Sequence, residues 1–242
     1  MDRARRVRKW VVRSFAALAL PVLGFLGWNL ATDNFETVEA HRLYRSGQMQ
    51  ADALARTIRK HQIKTVLNLR GSHPEQVWYA TERKATLDHG ATQVDMALSS
   101  CEWMSRVQLR ALVHVLESCE RPLLIHCWRG SERTGWASAL DVLLRPGSTL
   151  EQARAQFALR YLFARVGDGK VMIEHLDEYE SWLKRAGLSH TPDTLRRWVN
   201  DGFQPHTPGR EQWPYDPYPL VVINRPEPPS EHVAEKEPKL RK

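Results

Sequence analysis

At 242 residues with 42% apolar content, the chain is long enough to bury one sizeable core and still carry extensions at its ends. A formal net charge of +7 would suit a polyanion-binding surface if it were spread over the fold. Instead Arg3, Arg5, Arg6, Arg8, Lys9 and Arg13, against Asp2, hold most of it at the N-terminus, and the nearly neutral remainder excludes a broad nucleic-acid face.

That basic tip, residues 1–10, precedes "VVRSFAALALPVLGFLGWNL", residues 11–30, which contains one charge, Arg13, near its start. The length and apolarity predict a transmembrane helix, with Arg13 snorkelling toward headgroups. Basic residues before it and Asp33, Glu36 and Glu39 after it predict a cytoplasmic N-terminus and an extracytoplasmic body. No A-x-A-like site follows the apolar run, so an uncleaved single-pass anchor is expected over a signal peptide.

Beyond the anchor, residues 34–203 read as one α/β domain. "HRLYRSGQ" and "KTVLNLR" read as strands separated by a helix from about Asp52 to His61. A helix from Pro74 to Asp88 stops at Gly90, "TQVDMAL" alternates like a strand, and Ser105 caps a helix running to Ser118. "PLLIH" is a short buried strand ending at Cys127. Four helices follow: Thr134 to Leu144, "STLEQARAQFALRYLF" with a capping-box start, about Lys170 to Ala186, and a short one entered by "TPDT". Strands alternating with helices predict a central, mostly parallel sheet flanked by helices, with a helical block on the C-terminal side. Nine of the fourteen prolines fall from Pro205 onward, so residues 204–242 are expected to be a Pro-rich, charged tail that contributes no core.

The stretch "HCWRGSERTG", residues 126–135, therefore lies where a strand hands over to a helix. Backbone N–H groups of a tight loop and a helix N-terminus converge there into an anion-binding nest. Gly130 lets the loop fold back, and Arg133 can present its planar fork of donors to two oxygens of a tetrahedral dianion. The same positive field favours a Cys127 thiolate beneath the anion, poised to attack phosphorus.

These residues resemble the signature loop of the cysteine-based protein tyrosine and dual-specificity phosphatases: His-Cys, five residues, Arg, Thr, Gly. "NFETVEAHRLYRSGQ" and "KTVLNLRG" are similar to segments of the bacterial and fungal-plant atypical dual-specificity branch, and the likeness spans roughly residues 34 to 187. The resemblance implies a protein tyrosine phosphatase-like fold and a two-step reaction through a cysteinyl phosphate, with no metal or cofactor. It assigns Cys127 as nucleophile, Arg133 as transition-state ligand, and the amides of Trp128, Arg129, Gly130, Ser131, Glu132 and Arg133 as the phosphate nest. Thr134 would bond the sulfur, and His126 would orient the thiolate or serve only as a satisfied core histidine. The implied substrate is a phosphorylated protein or an inositol phosphate.

The proton donor departs from the pattern. The loop that carries an aspartate in relatives reads "SSCEWM" here, with Ser99 at the aligned position. Glu102, in that loop, and Glu132, before the signature arginine, are the candidate acids; Asp95 falls inside a strand and reads as structural. Arg70 reads as an ion-pair or substrate contact, Arg129 as a loop residue or a second cation, and Trp128 as a pocket wall. Cys101 and Cys119 read as ordinary buried thiols, and Cys101, in the acid loop, could also pair reversibly with Cys127. A catalytically weak phosphate-binding module is the alternative reading, favoured only by the missing aspartate. An arsenate reductase-like thiol enzyme is disfavoured by the "LYRSGQ" and "TVLNLRG" segments.

Overall fold

The computed structural model describes residues 31–206 and 220–226, together with positions 10, 13, 15, 17, 19–21, 23–25 and 27–29. Its strands are β1 (Glu36–Glu39), β2 (Leu43–Ser46), β3 (Thr65–Asn68), β4 (Thr92–Met96), β5 (Leu123–His126) and β6 (Val221–Asn224), in one sheet of order β1-β2-β5-β3-β4-β6. β2, β5, β3 and β4 are parallel, and both edges are antiparallel. "LYRS", "TVLN" and "LLIH" are buried at every position, as strands covered on both faces must be. The register sets Ser46, His126, Asn68 and Asp95 side by side at the strands' C-terminal ends. The loops leaving that edge form the crevice in which open parallel sheets bind ligands.

The helices are α1 (Ala51–His61), α2 (Val77–Asp88), α3 (Arg106–Ser118), α4 (Glu132–Leu143), α5 (Leu150–Arg154), α6 (Val171–Ala186) and α7 (Pro192–Arg197). On one face Leu54 and Ile58 of α1 and Ala85 of α2 pack with Tyr44, Val66 and Leu124. The other face carries the larger core, where Leu109, Trp136, Leu140, Leu176 and Trp198 meet Leu43, Leu67 and Ile125. Every position of α4 from Thr134 to Leu143 is buried, so the helix that follows the cysteine loop is held on all sides. Ser105 forms the expected capping box with Gln108, Thr149 forms one with Gln152, and Thr191 caps α7 with Pro192 in its first turn.

Several expectations are corrected. The predicted transmembrane helix over residues 11–30 is not borne out: among the described residues no helix is long and apolar enough to cross a membrane. The end of that segment is instead tied to the domain. Asn29 is buried and its carbonyl accepts from the Asn34 amide at 2.8 Å, while the chain turns through left-handed Asp33 and Asn34 (φ 51° at both). Asp33 then accepts from the Gly47 amide through its own carbonyl at 2.7 Å. Positions 1–9 of the basic tip and residues 207–219 and 227–242 of the tail lie outside the described residues.

The remaining differences are local. The helix expected over "STLEQARAQFALRYLF" stops at Arg154 and continues as 3-10 turns, Ala155–Phe157 and Leu159–Tyr161. Buried Arg45 takes the Gln156 carbonyl at 2.7 Å, a tertiary bond that overrides helical continuation. Within the stretch read as tail, the β-branched run Val221–Asn224 adds an edge strand antiparallel to β4. The polar strand Glu36–Glu39 carried no hydrophobic alternation and was missed.

Candidate active site

The chain leaves β5 at His126, turns through the cysteine loop and enters α4 at Glu132. Gly130 sits at φ +71°, and a Cβ there would lie 2.5 Å from the Ser46 carbonyl carbon and 2.6 Å from the Gly47 nitrogen. Only glycine lets the loop pass this close to the turn after β2.

Three successive loop carbonyls are claimed from outside. Trp128 O accepts from the Gln48 amide (3.1 Å), Arg129 O from Asn34 Nδ2 (2.9 Å), and Gly130 O from Arg45 Nη2 (2.8 Å). Because each peptide unit is planar and trans, pulling these oxygens outward turns the N–H groups of Arg129, Gly130 and Ser131 inward. The result is a nest of donors built before any anion arrives. Arg45 itself is fully buried, stacked 3.7 Å from the Tyr161 ring centroid, and burial lowers its pKa to about 10.

Cys127 lies on the floor of the nest, 1% exposed. Burial pushes its thiol pKa up, but the Arg133 charge, the Thr134 hydroxyl and the amides of Thr134 and Gly130 outweigh it and hold the thiol below its ordinary value. Arg133 Nη1 donates to the carbonyls of Leu69 (3.2 Å) and Leu98 (3.1 Å), which lock the guanidinium across the ends of β3 and β4. Its buried Nε has no partner among the described residues and is available to an oxyanion.

Behind the cysteine, His126 Nε2 lies 3.2 Å from Glu82 Oε1, both side chains being almost wholly buried. Burial disfavours the charged ring, but Glu82 overcomes this and raises the histidine above its usual value. Both ring nitrogens of His126 are buried without a hydrogen-bond partner among the described residues, so the ring is held by its ion-pair contact with Glu82 and is not a satisfied core histidine.

The acids separate in space. Asp95 is 1% exposed and accepts from Asn68, Gln93, Tyr79 and Asn224 at 2.7 to 3.0 Å, so its lone pairs are committed to the sheet. Glu132 opens α4 half-buried, and a Cβ added to Gly169 would come 2.8 Å from its Cγ, so it packs against the turn before α6. Glu102 is half-buried in the loop after β4. That loop is fixed at its start by Arg133 on Leu98 O and at its end by His175 Nε2, which accepts from the Met104 amide at 3.1 Å. Trp103 stacks on His175 with centroids 4.2 Å apart.

At the mouth, Arg70 lies over the ring centroid of Trp78 at 3.4 Å and of Trp128 at 4.6 Å, and donates to Gln48 Oε1 at 2.7 Å. Trp128 is 58% exposed, and Arg129 is also exposed. Cys101, expected to be buried, is exposed in the Glu102 loop, and it, half-buried Cys119 beyond α3 and Cys127 are all free thiols. Burial raises the Cys119 thiol pKa, as its reading as an inert thiol requires. Among the described residues no cluster of His, Cys, Asp and Glu could hold a metal ion. Sequence reasoning missed Asn34, Gln48, Arg45 and Glu82. The first three stood within quoted segments, but nothing local indicated that they face the cysteine loop.

The family model described as "Tyrosine phosphatase family" matches residues 26–159. The chain belongs to the tyrosine phosphatase family. It is a phosphatase of the protein-tyrosine and dual-specificity type. No curated protein sequence matches it. Among solved structures the phosphatase resembles TpbA of P. aeruginosa, crystallised in complex with pTyr, at 18% identity over 71% of this chain and 93% of that one, with a TM-score of 0.46. It also resembles the core catalytic domain of the PP-IP phosphatase SIW14 of S. cerevisiae, in complex with citrate, at 22% identity over 65% of this chain and 96% of that one, with a TM-score of 0.45.

Proposed function

We propose that the phosphatase hydrolyses phosphate monoesters through a cysteinyl-phosphate intermediate, with an aryl phosphate such as phosphotyrosine as the favoured ester. The observation that carries the mechanism is a buried cysteine beneath an inward-facing amide nest, with its thiol held below the ordinary value. In the first step the Cys127 thiolate attacks phosphorus in line, the bond to the ester oxygen breaks, and the leaving oxygen takes a proton. In the second, water attacks the phosphocysteine, phosphate leaves and the thiolate is restored. Arg133 and the loop amides bind the equatorial oxygens, where charge is stabilised in the transition state. Thr134, beside the sulfur, eases its departure.

The aryl preference rests on the indoles of Trp78 and Trp128 flanking Arg70 at the mouth, a wall suited to a flat ring. Trp128→Ala should raise KM for a phosphotyrosine peptide several-fold, roughly the 0.5–1.5 kcal/mol of an aromatic contact, and leave an inositol polyphosphate unaffected. Equal losses on both would remove the aryl preference and leave the chemistry standing. Phosphate release by the full chain from phosphotyrosine and phosphoserine peptides and inositol phosphates, with and without chelator, tests the broader reading. Release that needs added metal would exclude it.

The proton donor is assigned to Glu132 or Glu102. A general acid contributes about 10² to 10⁴-fold, and only where the leaving group is poor. Substituting the true donor by Gln should therefore slow an alkyl phosphate far more than p-nitrophenyl phosphate. Glu102→Gln and Glu132→Gln are to be compared on both; parallel losses in both variants would exclude both residues.

The depressed thiol also sets a pH dependence. Iodoacetamide alkylation of Cys127 should reach half its plateau rate below the ordinary thiol value of about 8.5. A lowered folded-state pKa means the thiolate's contribution to stability is present above the unfolded-state value and is lost as pH falls through the folded one. An inflection at or above the free-thiol value would contradict the electrostatic account.

A further inference from the structure

We propose that Glu82 is a positioning residue for this chemistry, keeping His126 protonated and aimed at the nucleophile from behind the sheet. The proposal rests on the reading of Cys127 as nucleophile. Glu82 comes from α2, far from the signature loop in sequence, and its side chain is 2% exposed. A carboxylate shut away from water is costly unless both oxygens are engaged. Here Oε2 accepts from Gln48 Nε2, and Oε1, which has no hydrogen-bond partner among the described residues, is engaged only by the charge of His126, whose Nε2 lies 3.2 Å away. Gln48 Oε1 in turn accepts from Arg70 Nη1 at 2.7 Å, and Arg70 stands between the two indoles at the mouth. The arrangement is a continuous polar chain, Arg70 to Gln48 to Glu82 to His126, running from the substrate entrance to the residue next to Cys127.

The order of charges gives the chain its purpose. Glu82 and Cys127 both favour the charged ring of His126, so a protonated His126 presents a positive charge to each. A neutral pair would present none. Other charged or titratable groups face the same space: Arg133 from α4, Arg45 from β2, Arg70 after β3, and Asp95 of β4 with Tyr79 of α2. Arg133 and the amides act on the sulfur from the mouth, whereas Asp95 is turned into its own hydrogen bonds with Tyr79, Asn68, Gln93 and Asn224. Glu82 is the carboxylate in contact with the histidine. Its replacement by Gln keeps the shape and the bond to Gln48 but removes the reason for His126 to hold a second proton.

In Glu82→Gln the inflection of Cys127 alkylation should move to higher pH. Turnover below that inflection should fall on the order of tenfold, with less loss above it. Combining Glu82→Gln with His126→Gln should cost no more than either alone, because both remove one charge pair. An unchanged inflection in a folded Glu82→Gln protein would overturn the proposal, as would full additivity. If the variant does not fold, nitrogen NMR of His126 in the unaltered protein decides: an imidazolium at neutral pH supports the proposal, and a neutral ring overturns it. The alkylation inflection and the nitrogen NMR do not involve turnover, so failure of the nucleophile assignment, seen as an active Cys127→Ser, remains a separate result.

Discussion

Replacing Cys127 by serine is expected to lower turnover by at least ~10³-fold while leaving phosphate binding within a few-fold. The serine hydroxyl is nearly isosteric, so the loop, its braces and Arg133 have no cause to move. What is lost is a group that ionises within reach of neutral pH. The same amide nest and arginine that hold the Cys127 thiol below its ordinary value cannot make an alkoxide out of serine. Turnover should vanish together with the acid-quenched, phosphorylated form of the enzyme, whereas calorimetric titration with inorganic phosphate should still report binding. Turnover in the serine variant within about tenfold of the unaltered protein would remove the cysteinyl-phosphate mechanism.

Gly130→Ala should be nearly as damaging to activity, through geometry alone. The left-handed φ of +71° costs a residue with a Cβ about 1–2 kcal/mol, and the new methyl would lie 2.5 to 2.6 Å from Ser46 and Gly47 backbone atoms. Those atoms belong to the backbone at the end of β2 and the turn after it and cannot rotate aside as a side chain would, so the cysteine loop must shift. A displacement near 1 Å at a reacting centre can cost about 10²-fold, and a fall in kcat of that order is expected. Gly90 offers a control at φ +73° with open space around its would-be Cβ. Gly90→Ala should cost about 1 kcal/mol in denaturant unfolding and leave kcat unaltered. Equal effects of the two substitutions on kcat would mean that contact between the loop and the β2 turn is irrelevant to catalysis.

What was legible in the sequence is what is local. The cysteine loop carries its nucleophile, glycine and arginine within seven consecutive positions, Cys127 to Arg133, and the runs around β2, β3 and β5 announce buried strands by composition alone. The braces of the loop are not local: Asn34 reaches Arg129 across 95 positions, and Arg45 reaches Gly130 across 85. Glu82 reads as a charge in the middle of an unremarkable helix, and only the packing of α2 on the sheet shows that it faces His126. The "QARAQFALRYLF" stretch misled for a related reason, since a single buried guanidinium reclaims the Gln156 carbonyl that a helix would have used. Hydropathy over residues 11–30 was read as an anchor because periodicity says nothing about what the polar residues at the end of the segment bind.

Asn34 carries a practical consequence for where the chain can be shortened. Its amide side chain ties the carbonyls of Arg129, Gly130 and Tyr161 together, while its backbone nitrogen is held by Asn29. A cut placed at the first strand, just after Asn34, would look harmless on a sheet diagram because every strand survives. It would nonetheless leave the Arg129 carbonyl without its side-chain donor and let that peptide rotate, emptying one position of the anion nest. A protein trimmed to begin at residue 31 keeps the side chain but loses the Asn29 carbonyl that seats it. The first residue of a shortened enzyme is therefore itself a catalytic variable, and kinetic values from fragments with different starting points are not interchangeable.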